Sequence, residues 1–202
     1  MHINTHIAIG LILTSLLDYL FELTMLEFIL IVFLSFICDF DVFFSKYAKD
    51  HNHRLLISHS IIPSLIIIII GLALNWTALF FGGINYSIHI FIDTFDWGTN
   101  VFYFQNKQIG FKFLITKDEF ENLPRYLDKY KTPASFFDEK YYNNKICLLF
   151  EILFFLLMIF TLLIFAIQYL FMIFLYFIGL YFHLHRHFTL REIEEDYKNA
   201  KF

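Results

Sequence analysis

The sequence predicts an all-α fold: an integral membrane helical bundle of about six transmembrane or membrane-dipping helices, with one cytoplasmic insert. Hydrophobic residues make up 58% of the 202 residues, and 29 residues are phenylalanine. A soluble domain, by comparison, is about 45–50% apolar. Several apolar runs also approach or exceed the roughly 17–25 residues that a helix needs to cross a bilayer. The charged residues, in addition, are concentrated between these runs.

Six apolar segments follow one another along the chain. The first four cover residues 7–21, 24–38, 58–74 and 77–95. The first two are about 15 residues long, so they either cross as short spans or form a hairpin that dips into the bilayer and returns. The fourth is expected to begin after a turn at Asn75-Trp76, because a turn at Gly82-Gly83 would leave a segment too short to cross.

The last apolar run, residues 146–182, contains the remaining two segments. Its 37 residues would extend about 55 Å as one helix. That length is nearly twice the hydrocarbon thickness of about 30 Å. We therefore predict two spans that meet in a turn near Gln168-Tyr169.

The basic residues orient the chain in the membrane. If the segments alternate in direction, all 15 Lys and Arg residues lie on one side, within residues 39–57, residues 96–145 and the C-terminal tail. An excess of positive charge marks the cytoplasmic face of a membrane protein. We therefore expect an even number of crossings in the cell (inner) membrane, with both termini in the cytoplasm.

The chain divides into three parts: a four-helix membrane unit (residues 1–104), a cytoplasmic insert (residues 105–145), and two further membrane helices with a charged tail (residues 146–202). The insert contains eight basic and six acidic residues, a mixture that indicates a solvated element and argues against a nucleic-acid partner. Thr116 and Glu119 have the spacing of a capping box. Pro124 is expected to interrupt the helix that they open.

Metal-ligating side chains recur at the cytoplasmic ends of the first four segments. They are His6, Asp39, Asp41, His53, His59, His89, Asp93 and Asp96. His89, Asp93 and Asp96 are spaced i, i+4 and i+7, which places them on one stripe of a helix. His59 is expected to lie just before the third segment, whose helix Ser60 would cap.

A divalent cation would explain why ionisable groups occur within apolar sequence. Each such group costs roughly 2.5–3.5 kcal/mol in a membrane segment, and a cation turns imidazoles and carboxylates into ligands. Mixed His and Asp ligands favour Zn²⁺, with Mn²⁺ or Fe²⁺ as alternatives. The candidates outnumber the three or four ligands of one zinc, so one or two ions are expected. Cys38 and Cys147 form no CxxC pair, and we interpret both as small buried hydrophobes.

The same residues resemble a motif of a bacterial and archaeal family of inner-membrane proteins described as membrane-bound metal-dependent hydrolases. The matching elements, all within residues 1–100, are His6, Asp39-Phe-Asp41, His53-Arg54, His59-Ser60, and Gly83 followed by His89 and Asp93. Cys38 replaces the usual proline, and the spacing from His-Arg to His-Ser is one residue longer than the commonest form. The order of motifs is distantly similar to zinc-dependent phospholipases C. The resemblance implies a metal-dependent hydrolase.

Three functional hypotheses follow. The first is a membrane-bound metal-dependent hydrolase that cleaves a phosphoester of a lipid or lipid-linked substrate at the inner leaflet. The metal would be bound by His6, Asp39, Asp41, His59, His89, Asp93 and Asp96. Arg54 would hold the phosphate, and His53 would act as a ligand or as a general acid. The alternatives are a divalent metal transporter or channel, and a non-catalytic protein that metal stabilises.

Overall fold

The computed structural model describes residues 2–48, 52–104 and 108–200, and this part of the chain is almost entirely helical. The α-helices are α1 (Ile3–Phe21), α2 (Met25–Leu34), α3 (Ile61–Ala73), α4 (Thr77–Asp96), α5 (Lys117–Glu121), α6 (Leu123–Leu127), α7 (Pro133–Tyr142), α8 (Lys145–Phe165) and α9 (Ile173–Asn199). Short 3₁₀ segments cover Ile37–Tyr47, His53–Leu55, Ile57–His59 and Ile167–Met172. The described residues form no β-strand, so the all-α prediction is confirmed.

Four helical stretches are long and apolar enough to cross a membrane, which indicates membrane association. They are Ile3–Phe21, Met25–Tyr47, Lys145–Phe165 and Ile167–Asn199. Ile61–Ala73 is apolar but shorter. The fuller prediction of six spans, a cytoplasmic insert and cytoplasmic termini stays a prediction. Residues 105–107, where the predicted insert begins, lie outside the described part.

Helix α1 is the centre of the bundle, where it packs against α2, α8 and α9. Its buried face includes Ala8 and Leu11, which meet Phe28 of α2 and Met158 of α8. Phe28 stacks on Tyr169 with ring centroids 3.9 Å apart. The N-terminal end of this central helix carries His6, so packing on three sides holds that residue in place.

A partly buried carboxylate, Glu151, links the start of α1 to α7 and α8. Glu151 of α8 accepts hydrogen bonds from Thr5 Oγ1 at 2.9 Å and from Asn4 Nδ2 at 3.1 Å. It also accepts one from the Tyr141 hydroxyl of α7 at 2.6 Å. This network immediately precedes His6 and fixes its position relative to α7 and α8.

Helices α3 and α4 form a tight antiparallel hairpin. The turn between them lies where the sequence predicted it, and Asn75 adopts a left-handed conformation with φ of 51°. Gly82 and Gly83 lie inside α4 and not in a turn. A β-carbon added to Gly83 would lie 2.9 Å from the backbone nitrogen of Ile68 and 3.0 Å from the carbonyl oxygen of Ser64. The backbones of the two helices therefore touch at Gly83, as small residues allow in membrane helices.

We expect Gly83→Ala to destabilise the protein by about 1–3 kcal/mol, because the new methyl group collides with the backbone of α3. Gly82→Ala is the matched control. Its β-carbon would meet chiefly the terminal methyl of Leu34, which can rotate away, and alanine is the better helix former. Thermal unfolding in detergent should separate the two variants. Equal stability would show that the contact at Gly83 is not restrictive.

The segment after α4 covers the end of that helix. Backbone N–H groups of Lys112, Phe113 and Leu114 donate to the carbonyls of Thr94, Phe95 and Asp96 at 3.2, 2.7 and 3.2 Å. These carbonyls belong to the last turn of α4, where the carbonyl oxygens have no N–H partners within the helix. The predicted capping box of Thr116 and Glu119 is present. Helix α5 ends at Glu121, and α6 then begins with Pro124 as its second residue.

Candidate metal centre

Six of the eight His and Asp residues singled out in the sequence come from four elements that meet at one end of the α1–α4 unit. His6 belongs to α1, and Asp39 and Asp41 belong to the 3₁₀ segment Ile37–Tyr47. His59 ends the 3₁₀ segment before α3, where Ser60 caps that helix by accepting from the Ile62 N–H. His89 and Asp93 lie on the buried face of α4. Four of these six residues are at most 1% exposed: His6, His59, His89 and Asp93.

His89 is held by one ring nitrogen and presents the other to the cluster. Its Nδ1–H donates to the carbonyl oxygen of Ser35 at 2.8 Å, so in the neutral imidazole Nε2 carries the lone pair. Among the described residues, this buried Nε2 has no hydrogen-bond partner. It lies 3.5 Å from Asp39 Oδ1 and 3.6 Å from Asp93 Oδ2. A backbone carbonyl that orients the imidazole in this way is typical of a metal-binding histidine.

Four side chains form the first candidate ligand group: His6, Asp39, His89 and Asp93. One ligand atom from each lies within 4.8 Å of all the others. His6 Nε2 is 3.1 Å from Asp93 Oδ1, and the His6 ring stacks on His89 with centroids 3.6 Å apart. Zn²⁺ bonds of about 2.0–2.2 Å place tetrahedral ligand atoms about 3.3–3.6 Å apart. Three of the contacts in this group, at 3.1, 3.5 and 3.6 Å, are close to that spacing, with Asp93 presenting Oδ1 to His6 and Oδ2 to His89.

His59 lies between two carboxylates. Its Nδ1 is 2.8 Å from Asp41 Oδ2, and its Nε2 is 3.0 Å from Asp93 Oδ2. Burial alone would lower the pKa of His59, but the hydrogen bonds to Asp41 and Asp93 raise it. A neutral imidazole has only one N–H, so one of these contacts requires either a proton or a cation between the two atoms.

A second candidate ligand group comprises Asp41, His53 and His59, whose ligand atoms also lie within 4.8 Å of one another. Ser58 Oγ donates to Asp41 Oδ2 at 2.6 Å and orients that carboxylate. Burial, together with the nearby His59 and Arg54, lowers the pKa of His53 to about 4. The His53 ring is therefore neutral near pH 7, the form in which imidazole binds metal.

Arg54 and Asp96 form a separate buried ion pair beside these groups. Two guanidinium nitrogens of Arg54 donate to the two carboxylate oxygens of Asp96 at 2.7 and 3.0 Å. One of these guanidinium nitrogens, Nη2, also lies 3.4 Å from Asp93 Oδ1. Burial lowers the pKa of Arg54, but the charges of Asp93 and Asp96 outweigh it and raise the pKa above its ordinary value. Asp96, predicted as a ligand, lies in neither candidate ligand group.

Several residues of the site were not anticipated from the sequence. Ser35 and Ser58 orient His89 and Asp41, and the Tyr86 hydroxyl donates to the Ser58 carbonyl. Cys38 forms a third group with His59 and His89. Ser58 precedes His59 in the chain, which is a local signal, whereas Ser35 and Tyr86 could be found only from the tertiary arrangement.

The residues present fit a divalent cation. Within the described ranges, four buried polar atoms of the two groups have no hydrogen-bond partner: His6 Nδ1, Asp39 Oδ2, Asp41 Oδ1 and His89 Nε2. Native proteins satisfy most buried polar atoms. The carboxylate oxygens and a neutral His89 Nε2 can only accept hydrogen bonds, so a cation would supply the partner that Asp39, Asp41 and His89 lack.

No family model matches the chain, and comparison with curated proteins and with solved structures finds no match either.

Proposed function

We propose that this chain is a membrane-bound metal-dependent hydrolase that cleaves a phosphoester of a lipid or lipid-linked substrate at the inner leaflet of the cell membrane. The observation that carries the proposal is a pair of largely buried His/Asp groups. Asp93 links them, because it contacts His6 of its own group and lies 3.0 Å from His59 of the other. The resemblance of the sequence motif to membrane-bound metal-dependent hydrolases supports the same conclusion.

The proposed ligands of the first ion are His6, Asp39, His89 and Asp93, and those of a second ion are Asp41, His53 and His59. A bound divalent cation supplies Lewis acidity, polarising a phosphoryl oxygen and making a water molecule more acidic. Zn²⁺ is the preferred ion for this donor set, with Mn²⁺ and Fe²⁺ as alternatives.

The remaining polar residues position these ligands. Ser35 and Ser58 fix the orientations of His89 and Asp41. Arg54 neutralises Asp96 and contacts Asp93, so it orients the carboxylate that faces three histidines. Because the Arg54 side chain is 10% exposed, an entering phosphate would have to share its guanidinium with Asp96.

Exposed aromatic residues support a lipid substrate. In the segments that follow Asp41 and Asp96 along the chain, the exposed fractions are 74% for Phe43, 81% for Phe104, 62% for Phe111 and 68% for Phe113. A soluble protein rarely exposes apolar patches of this kind unless they bind a membrane or a partner. In a chain whose helices have the length and composition of membrane spans, these residues would keep the site within the headgroup region.

The test is hydrolysis by purified protein of a panel of phospholipids and lipid-linked phosphates and diphosphates. We expect release of a phosphorylated or phosphate product that a chelator abolishes and added Zn²⁺ restores. Lys117→Gln, at a side chain that is 88% exposed, is the control that should keep full activity. Absence of hydrolysis for every substrate, with metal bound, would contradict the proposal.

A divalent metal transporter remains the second candidate, because a polar contact extends from the site into the bundle. Asn85 lies one turn before His89 on α4, and its Nδ2 donates to Thr14 Oγ1 of α1 at 3.5 Å. Metal flux into proteoliposomes without hydrolysis would favour transport. Bound metal with neither flux nor hydrolysis would indicate that the metal only stabilises the fold.

A further inference from the structure

Cys38 lies beside the metal groups, although its sequence position suggested only a small buried hydrophobe. The residue is 2% exposed and lies in the 3₁₀ segment that carries Asp39 and Asp41. Its Sγ, one ring nitrogen of His59 and one of His89 all lie within 4.8 Å of one another. The thiol therefore faces the same two imidazoles that the carboxylates contact.

A second observation points independently to a ligand at this place. His89 Nε2 is buried and lacks a hydrogen-bond partner in the described part of the chain. Because Nδ1–H donates to the Ser35 carbonyl, Nε2 is the nitrogen of the neutral ring that can bind a metal. The His59 ring lies edge to face with the His89 ring, with centroids 5.5 Å apart, and Asp41 orients it at 2.8 Å. Two oriented imidazoles and a thiol converge, and such a donor set is characteristic of zinc sites.

The Cys38 side chain has apolar neighbours on one side and two histidines on the other. Tyr86 and Ile90 pack against it in an apolar cluster, which excludes water from that side. A buried cysteine packed in this way is ordinarily an inert small hydrophobe. The two histidines on the other side distinguish Cys38 from Cys147, the other free cysteine, which is only partly buried and belongs to none of the candidate groups.

We propose that Cys38 supplies a thiolate ligand to a metal ion that His59 and His89 also bind, so that these two histidines share one ion instead of belonging to separate ions; this inference rests on the metal site of the proposed function. On binding, the S–H bond breaks, a sulfur–metal bond forms, and the proton is released to solvent. A Zn–S bond of about 2.3 Å and a Zn–N bond of about 2.0 Å place sulfur and nitrogen about 3.5 Å apart. Closing from separations of up to 4.8 Å requires rotation of the side chains.

A thiolate would change which metals the site prefers. Soft sulfur ligands select Zn²⁺ and similar ions, whereas sites made only of carboxylate and water suit Mg²⁺ and Mn²⁺. The substitution Cys38→Ser replaces sulfur with a hard oxygen of similar shape. We therefore expect it to reduce the preference for Zn²⁺ over Mn²⁺ by at least about tenfold, the scale of ligand-environment changes in metal sites.

Cobalt substitution tests the inference directly. Co²⁺ added to the purified full-length protein absorbs in the visible when it is bound in a tetrahedral site, and thiolate ligation adds an intense charge-transfer band in the near ultraviolet. Wild type and Cys147→Ser should show both features. Cys38→Ser should lose the near-ultraviolet band and retain the visible bands.

The outcomes separate this inference from the proposed function. Visible bands without a near-ultraviolet band in wild type would overturn the role of Cys38 and leave the His/Asp site intact. Absence of both features would overturn the metal site itself. If Cys38→Ser does not fold, wild type is compared with Cys147→Ser instead. A charge-transfer band that persists in Cys147→Ser assigns the thiolate to Cys38. Loss of the band in Cys147→Ser contradicts the proposal.

Discussion

Asp93→Asn is expected to lower metal affinity by more than about 100-fold. Asp93 Oδ1 lies 3.1 Å from His6 Nε2, and Asp93 Oδ2 lies 3.0 Å from His59 Nε2 and 3.6 Å from His89 Nε2. Replacing a residue that only orients a ligand already costs about 10–100-fold in affinity. Asparagine keeps the shape of Asp93 but removes its charge and points an NH₂ group at imidazole nitrogens, so the loss should exceed that range.

Elemental analysis of detergent-purified protein measures this effect, with His59→Ala as a second variant of the site. Asp138→Asn is a matched control. Asp138 is also a buried aspartate paired with a histidine, since its Oδ2 lies 2.5 Å from His187 Nδ1, but it belongs to neither metal group. Unchanged metal content in Asp93→Asn and His59→Ala would remove the basis of the proposed site.

The helices and their ends were largely accessible from sequence, because the signals are local. The turn at Asn75, the N-cap of Ser60 and the capping box of Thr116 with Glu119 all depend on residues within four positions of each other. The convergence of His89 and Asp93 is similarly local, since the i, i+4 spacing on one helix already places them on one face.

The contacts between distant segments were not accessible. Arg54 and Asp96 are 42 positions apart, and neither spacing nor composition indicates that they pair. Glu151 accepts hydrogen bonds from Asn4 and Thr5, which lie almost 150 positions earlier in the chain. The packing of α1, α4 and α8 brings such partners together, and that packing cannot be predicted from a single sequence.

The role of the Cys38 thiol was likewise not predictable from sequence, because it depends on residues of distant segments. In sequence, a cysteine at the end of an apolar run has a good explanation as a small hydrophobe. In the structure, His59 and His89 come from other elements and place ring nitrogens within 4.8 Å of the Cys38 sulfur. These imidazoles make a role as a metal ligand possible for the thiol. The donor set predicted from sequence therefore contained nitrogen and oxygen alone.

The Arg54–Asp96 pair carries the largest expected effect on stability. Arg54→Met removes the guanidinium that binds both oxygens of Asp96 at 2.7 and 3.0 Å and contacts Asp93 at 3.4 Å. Because Asp96 is 4% exposed, removing one member of this buried pair should cost about 3–5 kcal/mol. Thermal unfolding in detergent, compared with the surface variant Arg191→Met, measures the loss. Arg191 also pairs with a carboxylate, Glu195, but is 67% exposed, so its replacement should cost under about 1 kcal/mol.

The double variant Arg54→Met/Asp96→Leu distinguishes the two roles considered for Arg54. Replacing both members of a buried pair with apolar residues is often neutral or stabilising, so the double variant should recover most of the stability that Arg54→Met loses. If Arg54 acts only by neutralising Asp96, metal content and hydrolysis should recover together with stability. If its guanidinium also holds the substrate phosphate, stability and metal content should recover while hydrolysis stays low. Neither methionine nor leucine can donate the paired hydrogen bonds of a guanidinium to a phosphate. A double variant no more stable than Arg54→Met would contradict the ion-pair account.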